Sequence, residues 1–149
     1  MSYDAGNVFA RILRGELPCA RIYEDAHALA FMDIMPSAKG HSLVIPKEPA
    51  ETLFDLSPSA ASHLMVTAQR VAGAVKRALG CPGVMLVQLN GSAAGQSVPH
   101  MHIHIVPRTH GLDLVLHGRV QADFAELEAL AARISRELES EIGKNVSKS

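Results

Sequence analysis

The sequence has no excess of charge of either sign: 14 lysines and arginines stand against 15 aspartates and glutamates in 149 residues. Without a basic field there is no electrostatic case for nucleic acid or a membrane surface as partner. Any anionic ligand must be held by local geometry. No apolar run approaches the ~20 residues a membrane span needs. The start, Met1-Ser-Tyr-Asp-Ala-Gly6, lacks the basic and apolar regions of a secretory signal. Cysteine is scarce. Cys19 and Cys81 stand far apart, in neither a C-x-x-C pair nor a dense framework, which points to free thiols and a cytoplasmic location. Internal repeats, low-complexity blocks and linkers are also missing. Residues 1–142 therefore read as one domain and 143–149 as a frayed, disordered tail.

What is present is a series of short elements with clear stops. Asn7 can cap a short helix through Val8, Phe9, Ile12 and Leu13, ended by Gly15. Two strands, 20–24 and 27–33, are joined by a tight turn near Asp25-Ala26, and a third covers 42–45. Ser57 before Pro58 marks a helix start, and Leu64, Ala68, Val71, Val75 and Leu79 recur at helical spacing up to Gly80. A fourth strand spans 84–89 and a fifth 100–106. Asp123 and Glu126 form a capping-box pattern ahead of a last helix carrying Phe124, Leu127, Leu130, Ile134 and Leu138. Only one helix separates strands, which favours an antiparallel α+β sheet over a doubly wound parallel one.

The fifth strand holds the most informative residues, His100-Met101-His102-Ile103-His104-Ile105-Val106. A strand turns successive side chains to opposite faces, so the three imidazoles share one face and the apolar residues share the other. With 8 histidines in the chain, shuffling alone would produce such a triplet in roughly 2% of sequences, so the surroundings must decide its meaning. One meaning is a metal site. Zinc needs its nitrogens ~2.0–2.1 Å from one point, whereas the Cα atoms of His100 and His104 on a straight strand are about 13 Å apart. A zinc ion would use two of the three and ligands from elsewhere.

A second meaning is nucleophilic catalysis at phosphorus. A neutral imidazole whose one nitrogen donates to a fixed acceptor aims its other lone pair outward. Neighbouring imidazoles can donate to phosphoryl oxygens or protonate a leaving group. The small-residue segment Asn90-Gly-Ser-Ala-Ala-Gly-Gln-Ser97 would let backbone N–H groups approach a phosphate closely. A third meaning is that the histidines are satisfied packing residues with no chemical role.

The run His100–Val106 resembles the His-φ-His-φ-His-φ-φ signature of the histidine-triad superfamily at all seven positions. Leu29-Ala-Phe-Met-Asp-Ile34, Gly40-His-Ser-Leu-Val-Ile-Pro-Lys47 and Gly95-Gln-Ser-Val98 are similar to its nucleotide-binding branch, in the same order and spacing. The resemblance implies an α+β fold with a five-stranded antiparallel sheet and flanking helices, assembled as a two-fold homodimer. It implies that His102 attacks the α-phosphorus of a nucleotide to give a nucleotidyl-histidine that water hydrolyses. His104 would contact the phosphate, His100 would hold the nucleophile's orientation, and His41 would be the fourth histidine beside the triad. Asp33 would take the ribose hydroxyls and Asn90 would line the nucleotide. Gly95, Gln96 and Ser97 would lie by the phosphate, while Phe9, Ile12, Phe31 and Ile34 would wall the base.

Some relatives of this kind carry a structural zinc on two cysteines of the first helix and a later histidine. The matching places here read Asn7, Ala10 and Pro49, so neither a metal nor another cofactor is expected. Val106-Pro107-Arg108 resembles the ending of dinucleoside polyphosphate hydrolases rather than phosphoramidate-cleaving members. The expected activity is hydrolysis of nucleoside 5′-phosphoramidates or similar adenylates, with a purine nucleotide such as AMP as partner. Diadenosine polyphosphate hydrolysis and a nucleotide-binding regulator or adaptor with incidental turnover are the alternatives. A metalloenzyme using two triad histidines is a further one.

Overall fold

Helix α1 (Val8–Leu13) begins where Asn7 accepts the Ala10 N–H at 2.9 Å, one of the donors a helix start leaves without an internal partner. The computed structural model describes residues 2–111 and 117–146. Strands β1 (Arg21–Glu24) and β2 (Ala28–Met32) turn around Asp25. Its Oδ1 accepts the N–H groups of His27 and Ala28, each at 2.8 Å. Strand β3 (Ser42–Pro46) follows, then helix α2 (Pro58–Leu79). Ser57 caps α2 by accepting from Ala60 N–H, and Gly80 ends it at φ 61°, the left-handed conformation that only glycine adopts cheaply. Strand β4 (Gly83–Gln88), strand β5 (Ile103–Arg108) and helix α3 (Phe124–Val146) complete the order.

All neighbouring strands run antiparallel in the spatial order β1-β2-β3-β5-β4. The fold is therefore the α+β, five-stranded arrangement read from the sequence. Its two faces follow from period-two alternation. Ala28, Ala30 and Met32 of β2, Val44 of β3 and Met101, Ile103 and Ile105 turn to one side. There they pack with Leu64, Val71 and Val75 of α2 and Leu130, Ile134 and Leu138 of α3. The other face carries Leu29, Phe31, Leu43 and Ile45, packed on Phe9 of α1. This second face holds the site. No helix among the described residues is long and apolar enough to cross a membrane.

Two boundaries differ from the sequence reading. The ladder of β5 begins at Ile103 rather than His100: the Met101 N–H leaves the sheet to donate to Ala50 O at 2.8 Å. The Pro46 carbonyl, at the end of β3, accepts the His100 ring at 2.8 Å. Alternation nonetheless reaches back to Met101, which is buried with Ile103 and Ile105. Helix α3 runs through Gly143 to Val146, so the expected tail starts as helix. The part of that tail at 147–149 lies outside the described residues.

Candidate active site

Each triad imidazole is told which nitrogen to protonate. His102 Nδ1 lies 2.6 Å from the His100 carbonyl oxygen. A carbonyl only accepts, so Nδ1 carries the proton and the lone pair is left on Nε2. His100 is held at both ends: Nε2–H donates to Pro46 O and Nδ1 accepts the Tyr3 hydroxyl. The Tyr3 oxygen in turn accepts Asn7 Nδ2–H at 2.9 Å. Asn7 thus starts α1 with its oxygen and anchors the row of histidines with its nitrogen.

A second chain of donors starts from the backbone. Ser37 N–H donates to His41 Nδ1 at 3.0 Å, which places the His41 proton on Nε2. That nitrogen is 2.9 Å from His104 Nδ1 and 3.3 Å from Asp33 Oδ2. Donation to His104 leaves the His104 proton on Nε2. His104 Nε2 is buried and has no hydrogen-bond partner among the described residues. A buried donor left unmade costs about 1–3 kcal/mol, and this one belongs to a ring that lines the cavity. It is a donor waiting for a ligand's acceptor.

Burial keeps these rings uncharged at neutral pH. It pushes His41 down to about 4 and His104 down to about 3, the latter also opposed by charge on His102 and His41. His100 and His102 are lowered by the same cause, although the carbonyls they face favour their charged forms. Burial raises the Asp33 carboxyl, against the Met35 N–H that its Oδ1 accepts at 2.8 Å.

A cavity of about 460 Å³ opens on this face, within the size range of small-ligand pockets. Phe9, Ile12, Phe31, Asp33, Ile34, Ser97, His102 and His104, all singled out from the sequence, line it together with Leu43, Val98 and Cys19. His41 and His100 stand behind that lining, fully buried. Asn90, Gly95 and Gln96 are not part of the lining. Asn90 Oδ1 accepts the Leu53 N–H at 2.8 Å, and its amide pairs with that of Gln88. Gln96 pins the small-residue loop, accepting Gly91 N–H at 2.7 Å and donating to Glu51 O and Val98 O. Gly95 bends at φ 98°. Pro107 and Arg108 line a separate pocket with Leu79, Cys81 and Arg133.

Sequence reasoning missed Tyr3, Ser37 and His117. Tyr3 and Ser37 carried no local signal, since each acts through a partner made only by folding. His117 lines the cavity and bonds to Gly95 O at 3.1 Å; a histidine beside a glycine, shortly after the triad, was the one available cue.

Asp33, His41 and His104 bring ligand atoms within 4.8 Å of one another, but those atoms already face one another, His41 Nε2–H donating to His104 Nδ1 beside Asp33 Oδ2. A metal on His41 Nε2 would move its proton to Nδ1, against the Ser37 N–H at 3.0 Å and with the Ser37 Oγ at 3.2 Å as its acceptor, so the arrangement present is poorly suited to an ion. His100 has both nitrogens committed, to Pro46 and Tyr3, and so does not fit one either.

The HIT domain family model matches residues 14–111. A 13.2 kDa HIT-like protein of Azospirillum brasilense is 46% identical over 70% of this chain and 87% of its own length. An adenylylsulfatase of Arabidopsis thaliana is 42% identical over 68% of this chain and 51% of that protein. An adenosine 5′-monophosphoramidase of Schizosaccharomyces pombe is 39% identical over 68% and 73%. Among solved structures, a Hit-like protein of Bartonella henselae superposes with a TM-score of 0.87 at 38% identity, covering 92% of this chain and 99% of that one. A zinc-bound histidine triad family protein of Mycobacterium smegmatis does so at 0.81 and 32% identity, covering 93% and 97%.

Proposed function

The chain belongs to the HIT domain family, and from that premise we propose that it hydrolyses nucleoside 5′-phosphoramidates and similar adenylates through a covalent intermediate on His102. The observation that carries this reading is the 2.6 Å bond from His102 Nδ1–H to the His100 carbonyl, which leaves Nε2 as a nucleophile on the cavity side. Nε2 attacks the α-phosphorus, the P–N bond breaks, and the amine leaves with a proton. Water then attacks phosphorus, the P–Nε2 bond breaks, and the nucleoside monophosphate departs. The unmet His104 Nε2–H donates to a phosphoryl oxygen as its charge grows in the transition state, a preorganised dipole of the kind that contributes most to such reactions. Phe9, Ile12 and Phe31 wall the base, Asp33 Oδ2 accepts from the ribose hydroxyls, and Ser97 lies by the phosphate.

The relatives named as an adenosine 5′-monophosphoramidase and an adenylylsulfatase favour adenylates as the substrate class. Of the Val106-Pro107-Arg108 ending, which pointed to dinucleoside polyphosphates, Pro107 and Arg108 line a pocket apart from the site and lend that alternative no geometric support. Parallel rates on an adenosine phosphoramidate and a diadenosine polyphosphate separate the two. We place the protein in the cytoplasm, in keeping with its two free cysteines. We also infer a two-fold homodimer, as the resemblance to the family implies.

The test of the mechanism is His102→Ala. Turnover falls by at least about 10³-fold while AMP binding, measured by calorimetry, stays within a few-fold of the parent. Near-normal turnover by this variant would remove His102 as the nucleophile.

A further inference from the structure

The chain returns to the cavity after β5 with one more imidazole. His117 lines the cavity with His102, His104, Asp33 and Ser97. Its Nε2 lies 3.1 Å from the Gly95 carbonyl, so Nε2 carries a proton and Nδ1 is turned to other use. Its ring centroid is 5.8 Å from that of His104, which is 4.9 Å from that of His102. His104, the phosphate donor, is thus the shared neighbour of the nucleophile and of His117.

The placement of His117 is built into the backbone. A Cβ on Gly118 would meet Pro36 O at 2.2 Å and Met35 O at 2.5 Å, so this stretch lies flush against the turn that follows Asp33. Farther on, Ala122 N–H donates to Ile34 O at 2.9 Å. One end of the segment is therefore tied to the Asp33 turn and the other, through His117, to the small-residue loop at Gly95. The imidazole is held across the mouth of the site.

We propose that His117 is a further catalytic residue, the general acid that protonates the leaving group, and that it thereby sets which leaving groups this site can expel. The proposal rests on the adenylate-hydrolase reading above. The other titratable groups around it are committed elsewhere. His102 Nδ1–H is bound to a carbonyl, His41 and Asp33 face each other, and His104 Nε2–H serves the phosphoryl oxygen. His41, His102 and His104 are buried and held neutral, whereas His117 is exposed and can exchange its proton with water between turnovers. In the first step the His102 Nε2–P bond forms and the P–N bond breaks. His117 enters this step as the imidazolium, with Nε2–H on the Gly95 carbonyl; its Nδ1 proton passes to the departing amine nitrogen, and the ring is left neutral. In the second step water gives a proton back to Nδ1 as its oxygen joins phosphorus and His102 leaves.

The experiment compares two substrates, an alkylamine phosphoramidate of AMP and the p-nitrophenyl ester of AMP. The amine must be protonated to leave; p-nitrophenolate leaves as the anion. His117→Gln, which retains an N–H for Gly95, and His117→Ala are each expected to lose on the order of a hundredfold in kcat/KM on the phosphoramidate. Both are expected to change by less than about threefold on the ester. Equal losses on the two substrates, no loss on either, or recovery of the amine substrate by His117→Gln would each overturn the proposal, the last by showing a purely structural hold on Gly95. His102→Ala is run alongside. If it stays active, the His102 pathway and this proposal fall together; if it is dead while the two substrates respond alike to His117→Ala, only the proposal falls.

Discussion

Tyr3 reaches across 97 residues of sequence to donate its hydroxyl to His100 Nδ1. The His100 carbonyl then fixes His102, so a group one residue removed from the cavity lining helps to set how the nucleophile's ring is turned. In Tyr3→Phe the His100 ring loses one of its two anchors and gains freedom to rotate about the other. The expected result is a kcat lowered roughly tenfold with KM unchanged, since orientation is spent on the reacting ring and not on nucleotide contacts. Steady-state kinetics on one adenosine phosphoramidate checks it. A rise in KM with kcat intact would mean that Tyr3 shapes the pocket instead.

Among the elements, those with local punctuation were legible in the sequence. Ser57-Pro58 and Gly80 bracket α2, and Asn7 opens α1, because a cap or a left-handed turn is a demand that few residue types can meet. The alternation from Met101 to Ile105 was legible for the same reason: a buried face under two helices tolerates only apolar side chains. The start of β5 was not, because the Met101 N–H leaves the sheet for the carbonyl of Ala50, a residue distant in sequence that only folding brings near. The roles of Asn90 and Gln96 were equally hidden. Gln96 is satisfied by backbone groups and Asn90 by the Leu53 N–H and the Gln88 side-chain amide, partners that only folding brings near. His117 and Tyr3 lie outside the motifs that carry the resemblance, so it offered no guide to either.

For the whole molecule, uncharged buried imidazoles make stability depend on acid. His41 stays uncharged, without a second proton, down to about 4 in the folded state, whereas an unfolded histidine takes one up near ~6.5. Between these values the unfolded chain binds more protons, so stability is fully present above pH ~6.5 and is lost as pH falls. His41 alone accounts for roughly 3 kcal/mol across this window, and His104 adds to it in the same direction. Asp33, raised by burial, works in the opposite sense at the lower end. Urea midpoints should therefore drop steadily from pH 7 to pH 4.5. A midpoint that stays level across this range would mean the rings find a way to charge without unfolding.

The lining of the cavity contains no lysine and no arginine among the described residues. A phosphate entering it is received by N–H dipoles, not by permanently cationic side chains, and little counterion is displaced on binding. Affinity for AMP should then shift by no more than about twofold over a roughly tenfold rise in ionic strength, which titrations at low and high salt can read directly. A pocket of this kind holds its nucleotide with little regard to the salt around it.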